Sequence, residues 1–225
     1  GVWTYKYDSA MGALTERTDP LANKTTYAYD SYRNLTSVTD PKNNVTSYTY
    51  DGNANVTSVT DALGNTTTYT YNSLNKVTSI VYPGNATVNI SYDARGNLTN
   101  FTDPTGNTTQ YTYDAKGNLL TIVNPLTQTT TLAYTTQNFL TSVTDAIGAV
   151  TSFTYDAAGN MIRYMDPQSN LTVFEYNGLN KIKKVTDPQG NIINYGYDVN
   201  GNVASVTDAN GKPTLYEYNY RGQVT

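Results

Sequence analysis

The stretch Tyr92-Asp93-Ala94-Arg95-Gly96-Asn97-Leu98-Thr99-Asn100-Phe101-Thr102-Asp103-Pro104-Thr105-Gly106-Asn107-Thr108-Thr109-Gln110-Tyr111-Thr112 decides the fold, because the chain begins the same phrase again at Tyr113-Asp114. The second aromatic of each Tyr-x-Tyr-like pair marks the beat: Tyr7, Tyr29, Tyr50, Tyr71, Tyr92, Tyr113, Tyr134, Tyr155, Tyr176, Tyr197 and Tyr218. The first gap is 22 residues and every later gap is 21. The extra residue falls in Asp8-Ser9-Ala10-Met11-Gly12, where a glycine arrives one place late. A second landmark keeps the same period: Asp19, Asp40, Asp61, Asp103, Asp145, Asp166, Asp187 and Asp208, with Tyr82 and Asn124 standing in for the missing two. Proline follows it at Pro20, Pro41, Pro83, Pro104, Pro125, Pro167 and Pro188. Self-similarity at a fixed period of this length identifies a repeat architecture before any motif is weighed.

Each repeat carries two turn signals, Asp-x-x-Gly-Asn after the marker tyrosine and Asp-Pro-x-Gly-Asn further on. Aspartate bonds the backbone ahead of it, proline presets φ, and glycine or asparagine accepts the left-handed conformation. Between the turns lie short segments rich in Thr, Val and Tyr, which favour strands. The fold expected is all-β: tandem 21-residue hairpin repeats stacked into an extended or spiralling β-ribbon, over 1–225 as a single array of about ten repeats. The pairs Tyr48/Tyr50, Ile90/Tyr92, Leu132/Tyr134, Phe153/Tyr155 and Phe174/Tyr176 share one face, because strands repeat every two residues. The other segment is less regular. Leu35 and Val38, like Leu98 and Phe101, lie three apart, so either a bulge intervenes or both faces are partly covered.

At roughly 4.8 Å per strand, each repeat adds roughly 9–10 Å and ten make a ribbon on the order of 100 Å long. Rings of neighbouring repeats are expected to stack, Tyr over Tyr, in a ladder of Tyr29, Tyr50, Tyr71, Tyr92, Tyr113, Tyr134, Tyr155, Tyr176, Tyr197 and Tyr218. Stability of this kind sums over nearest neighbours and leaves ends that need a cap or more repeats. The chain, which starts at Gly1, therefore reads as a piece of a longer array. A single layer with an aromatic face has to curl into a wall, wrap another body or pack against a second copy.

Composition removes whole classes of function. With no His and no Cys the chain holds no Ser-His-Asp triad, no Cys nucleophile and no zinc or iron–sulfur site of the usual ligands. A net charge of −4 with 14% charged residues does not make a nucleic-acid surface, which needs clustered Lys and Arg. No apolar run reaches the roughly 18 residues of a membrane-spanning helix, so no membrane insertion is expected.

The phrase Tyr92-Asp93-Ala94-Arg95-Gly96-Asn97-Leu98, then Asp103-Pro104-Thr105-Gly106-Asn107 and Tyr111-Thr112-Tyr113-Asp114, resembles the Rhs (rearrangement hotspot) or YD repeat, and the resemblance runs the length of the chain. It implies a segment of a large secreted or surface protein, whose relatives include polymorphic toxins, insecticidal toxin-complex shells and teneurin adhesion receptors. It also implies hairpins spiralling into a hollow shell with tyrosines inside, and enzymatic activity confined to C-terminal toxin domains outside this stretch. Where the family unit often carries Arg after Gly, this chain has Asn97, Asn118, Asn160 and Asn202.

Eleven Asn-x-Ser/Thr sequons occur, ten of them before residue 110. They make Asn34, Asn44, Asn55, Asn65, Asn97 and Asn107, then Asn23, Asn85 and Asn170, candidates for N-linked glycans on exposed turns. The competing explanation is that turns select Asn and strands select Thr, so sequons arise as a by-product. The aspartates form a ladder, but each turn offers one acid where a calcium loop concentrates several, so they read as turn caps and no cofactor is expected. Every acid–tyrosine arrangement is repeated and none is distinctive, so the segment reads as non-enzymatic. Lys181, Lys183 and Lys184 read as a solvated face.

The function expected is a structural, extracellular or cell-surface array forming a filament, stalk or wall, its partners being neighbouring repeats, other copies and glycans. A section of a hollow shell enclosing a toxin domain is the alternative. An adhesion or carbohydrate-binding module, using the aromatic face, is the third reading.

Overall fold

A computed structural model describes residues 1–225. The chain forms 21 strands and no helix. The first six, β1 (Thr4–Tyr7), β2 (Leu14–Thr18), β3 (Lys24–Tyr29), β4 (Leu35–Thr39), β5 (Val45–Tyr50) and β6 (Val56–Thr60), set a pattern continued to the last, β21 (Pro213–Leu215). The chain divides into two units, Gly1–Tyr111 and Thr112–Thr225. Within each, a strand pairs antiparallel with the one before and the one after it, as in a simple meander.

Both turns of a repeat have one geometry. In the turn after Tyr29, the Arg33 N–H donates to the Asp30 carbonyl (3.1 Å) and the Asp30 N–H to the Asn34 carbonyl (3.0 Å). The Asp-Pro turn copies this with Asn43 to Asp40 and Asp40 to Asn44, both 3.0 Å. The fourth residue is left-handed, which suits Gly64 (φ 82°) and Gly106 (φ 89°); yet Arg33 (φ 70°) and Ala54 (φ 63°) take the same conformation. The wider first turn is closed by Asp8 N–H to the Ala13 carbonyl at 2.8 Å, absorbing the extra residue seen in the first gap.

A bulge accounts for the irregular spacing. Tyr29 faces Leu35 and Ala28 faces Ser37, so Thr36 is the extra residue. Tyr50 likewise faces Val56 while Thr49 faces Ser58, leaving Thr57 over. The bulge returns Leu35 and Val38 to one face, where Tyr27 pairs with Val38 and Tyr29 with Leu35. Thr26, Ala28, Ser37 and Thr39 line the opposite face. One face is therefore tyrosine, leucine and valine; the other is threonine and serine.

Neither face has a second layer. Val88, 7% exposed, is the only buried apolar side chain, and the marker tyrosines are mostly half-buried. A globular domain of this length would bury most of its apolar groups in a core. Cohesion here comes from the ladder, the turn caps and contacts between adjacent hairpins.

Candidate functional site

The candidate site is the repeated set of turn caps and tyrosine contacts. Where the asparagine partner is present, the turn aspartate acts as a three-pronged acceptor; Asp8, Asp145 and Asp208, which lack it, accept backbone N–H groups alone. Asp30 Oδ1 takes the N–H groups of Tyr32 (2.9 Å) and Asn34 (2.8 Å), while Oδ2 takes Asn34 Nδ2 (2.9 Å). The arrangement recurs at Asp51 with Asn55 and at Asp114 with Asn118, and in the Asp-Pro turns at Asp40 with Asn44 and Asp166 with Asn170. Donation to the ionised form holds these carboxyls below their ordinary value. In Asp103 the Thr105 hydroxyl adds the largest effect, ahead of Asn107, and the carboxyl falls to about 2.

Marker tyrosines in both units tie one hairpin to the next through their phenols. Tyr50 Oη donates to the Leu35 carbonyl at 2.8 Å, fifteen residues back, and Leu35 is the residue preceding the bulge. Tyr29 reaches Leu14 (3.0 Å) and Tyr71 reaches Val56 (2.7 Å) in the first unit. Tyr176 reaches Met161 (2.8 Å), Tyr197 Ile182 (2.7 Å) and Tyr218 Val203 (2.9 Å) in the second. The bulge interrupts the ladder at that point, and the tyrosine of the following repeat supplies the carbonyl with a donor. Burial raises the Tyr50, Tyr71, Tyr176 and Tyr197 phenols above their ordinary value.

These contacts correct the expected Tyr-over-Tyr stacking. Successive marker rings are two strands apart, roughly 9–10 Å, beyond the ~4.5–7 Å at which rings stack. Ring pairs that form include Trp3 with Tyr5 (6.5 Å), Phe139 with Tyr155 (5.0 Å) and Phe153 with Tyr164 (5.7 Å), and none of these joins two marker tyrosines. Tyr50→Phe, which keeps the ring and removes the donor, is expected to lower stability by about 1 kcal/mol. Urea unfolding would read this as a fall in midpoint at unchanged slope, whereas an unchanged midpoint would mean the phenol contributes nothing.

Several turns depart from the rule, and in three of those that follow a marker tyrosine the departures are coupled to a contact with the next repeat. Asn72, Thr135 and Asn177 stand where aspartate is usual, and Lys76, Phe139 and Lys181 where its asparagine partner is usual. Freed from the cap, the second residue reaches the next repeat. Lys76 Nζ lies 5.4 Å from the Tyr92 ring centre, Phe139 stacks on Tyr155, and Lys181 Nζ lies 5.2 Å from the Tyr197 ring and donates to the Gly201 carbonyl. In the same turns Asn75, Asn138 and Asn180 each accept from a side chain one repeat back: Asn55, Asn118 and Asn160, all at 3.0 Å. The sequence carried a signal for this, since in these three turns the aspartate and its asparagine are lost together. Lys183 and Lys184 are not a free cationic face: both pair with Glu175, at 3.3 and 3.1 Å.

Of the sequon asparagines singled out, Asn23, Asn34, Asn44, Asn55, Asn65, Asn97, Asn107 and Asn170 all donate Nδ2 to the aspartate four residues earlier. Asn85 differs: it is the exposed left-handed residue of its turn (φ 67°). The ladder tyrosines Tyr92, Tyr113, Tyr134 and Tyr155 close strands at the same register as the others. A cleft of about 340 Å³ lies beside Phe139, Phe153 and Tyr155, at the departure from the repeat in the second unit. No group of three or more acids is gathered closely enough to hold a metal ion.

Hairpins closed by aspartate-capped turns and tied to their neighbours by tyrosine define a tandem β-hairpin repeat protein. The RHS repeat profile matches residues 10–45, 50–87, 92–131, 113–144, 134–164 and 197–225, and the chain belongs to the RHS repeat family. Among solved structures it is similar to TcdB2-TccC3-Cdc42, with 16% identity and a TM-score of 0.65, over 99% of this chain and 14% of that one. It is similar also to TcdB2-TccC3 without its hypervariable C-terminal region, with 17% identity and a TM-score of 0.67, again over 99% of this chain and 14% of the other. At these identities the likeness is one of fold. No curated protein matches the chain.

Proposed function

We propose that this chain is a stretch of non-enzymatic structural wall from a larger secreted or cell-surface RHS-type shell, with its tyrosine face turned toward the enclosed space. The observation that carries this reading is the near absence of a core: a chain of 225 residues buries a single apolar side chain. A sheet so built encloses or covers something else, and its repeated turns and strands hold no distinctive reactive constellation. Likeness to TcdB2-TccC3 over nearly the whole chain supports a shell section rather than a free module. The wall's partners are neighbouring repeats, and N-linked glycans on the exposed turns belong to the same extracellular reading. A filament is the second reading, favoured by the unbroken 21-residue register.

Electron microscopy of the natively produced parent protein separates the two. Discrete hollow particles are expected. Long fibres with an axial repeat matching one hairpin would replace the shell with the filament, and glycopeptide mapping of the same material tests the sugars.

A further inference from the structure

We propose that Asn177 is a site of spontaneous deamidation, through attack by the backbone nitrogen of Gly178. The chain contains three Asn-Gly pairs, Asn177-Gly178, Asn200-Gly201 and Asn210-Gly211. In such a pair the glycine nitrogen loses its proton to solvent base and bonds to the asparagine Cγ. A five-membered imide closes and the side-chain nitrogen leaves as ammonia. Water then opens the imide at either carbonyl, giving aspartate or its β-linked isomer. The net change consumes one water and releases one ammonia, with no oxidant or cofactor.

The three pairs are not equivalent. The nitrogens of Gly201 and Gly211 are occupied, donating to the carbonyls of Asp198 and Asp208, each at 3.0 Å. Gly178 lies one place after the capping residue rather than three, and its N–H enters neither the backbone bonds of the turn nor any side-chain bond. It is exposed, with open space around its Cα. The electrophile is also prepared. Asn177 Oδ1 accepts the N–H groups of Leu179 (2.9 Å) and Lys181 (3.0 Å), which polarise the amide and would stabilise the oxyanion formed on attack.

Other capping asparagines lack one part of this arrangement. Asn72 and Asn219 cap in the same way but precede Ser73 and Tyr220, whose side chains hinder attack, and Asn124 precedes Pro125, which has no N–H. The aspartate product suits its place. Asp30, Asp51, Asp93, Asp114, Asp156 and Asp198 hold the equivalent turn in other repeats. The β-linked product instead lengthens the backbone and draws the carboxylate off the cap.

The test is to incubate the purified chain at physiological temperature and mildly alkaline pH, digest samples over time and sequence the peptides by mass spectrometry. Acid at position 177, as both isomers, is expected to accumulate several-fold faster than at 200 or 210. Gly178→Ala should suppress it. That variant is expected to fold, because the added Cβ meets nothing within 4 Å and the residue is not left-handed. Faster conversion at 200 or 210, or an unchanged rate in Gly178→Ala, would overturn the proposal.

Discussion

Acidification from about pH 4 to about pH 2 is expected to lower the stability of the array, while the interval above about pH 5 leaves it unchanged. Twelve turn aspartates, from Asp19 to Asp198, have carboxyls held below their ordinary value by donation from the folded turn. A folded value lower than the unfolded one stabilises the fold above the unfolded value. That contribution is lost as pH falls through the folded value, about 2 for Asp103. The individual carboxylates are solvated, but they are repeated along the array, so their proton uptake on unfolding adds up. Thermal melts across this range give the answer, and a melting temperature indifferent to pH below about 4 would count against the caps as a source of stability.

An internal comparison isolates the charge. Asn72 forms the same cap with an amide oxygen, accepting from Leu74 (2.9 Å) and Lys76 (3.0 Å), so the geometry does not require a carboxylate. Asp103→Asn is therefore expected to fold and to flatten the acid limb of the stability curve. If that limb keeps its slope, Asp103 does not contribute to it.

Removing one residue is expected to harm the protein more than removing twenty-one. Excising Asp51–Tyr71 takes out one complete period, and Tyr50 then runs into Asn72 with every later residue in its original register. In a quasi-one-dimensional array only one repeat and one interface are lost. The urea slope should fall in proportion to surface removed, with little change in midpoint. Deleting Thr68 alone is different. The strand from Thr66 to Tyr71 lies between two turns, each closed by backbone bonds, from Asp61 to Asn65 and from Asn72 to Lys76. With one residue missing, either a turn opens or Thr66 and Thr67 change faces relative to Tyr69 and Tyr71. A loss on the order of 3 kcal/mol or more is expected. Equal midpoints for the two variants would show that register is not the organising constraint.

The period, the hairpins and the turn chemistry were legible because each depends on residues close in sequence. Asp30 and Asn34 are four apart, and any chain with that phrase between strand-forming segments meets the same local requirements. Even the bulge left a trace in the three-residue spacing of Leu35 and Val38. The stacked tyrosine ladder was misread because strand alternation assigns residues to a face but does not set the separation of their rings. Across two strands that separation exceeds ring contact, and the phenol instead meets the carbonyl of the residue before the bulge. The forward reach of Lys76, Phe139 and Lys181 also depends on tertiary placement, since their targets lie sixteen residues away along the chain but on an adjacent hairpin. Sequence by itself determined the repeat, its turns and its two chemically distinct faces. Tertiary structure alone decided how one repeat holds the next, because those contacts depend on strand pairing, the bulge and side-chain direction together.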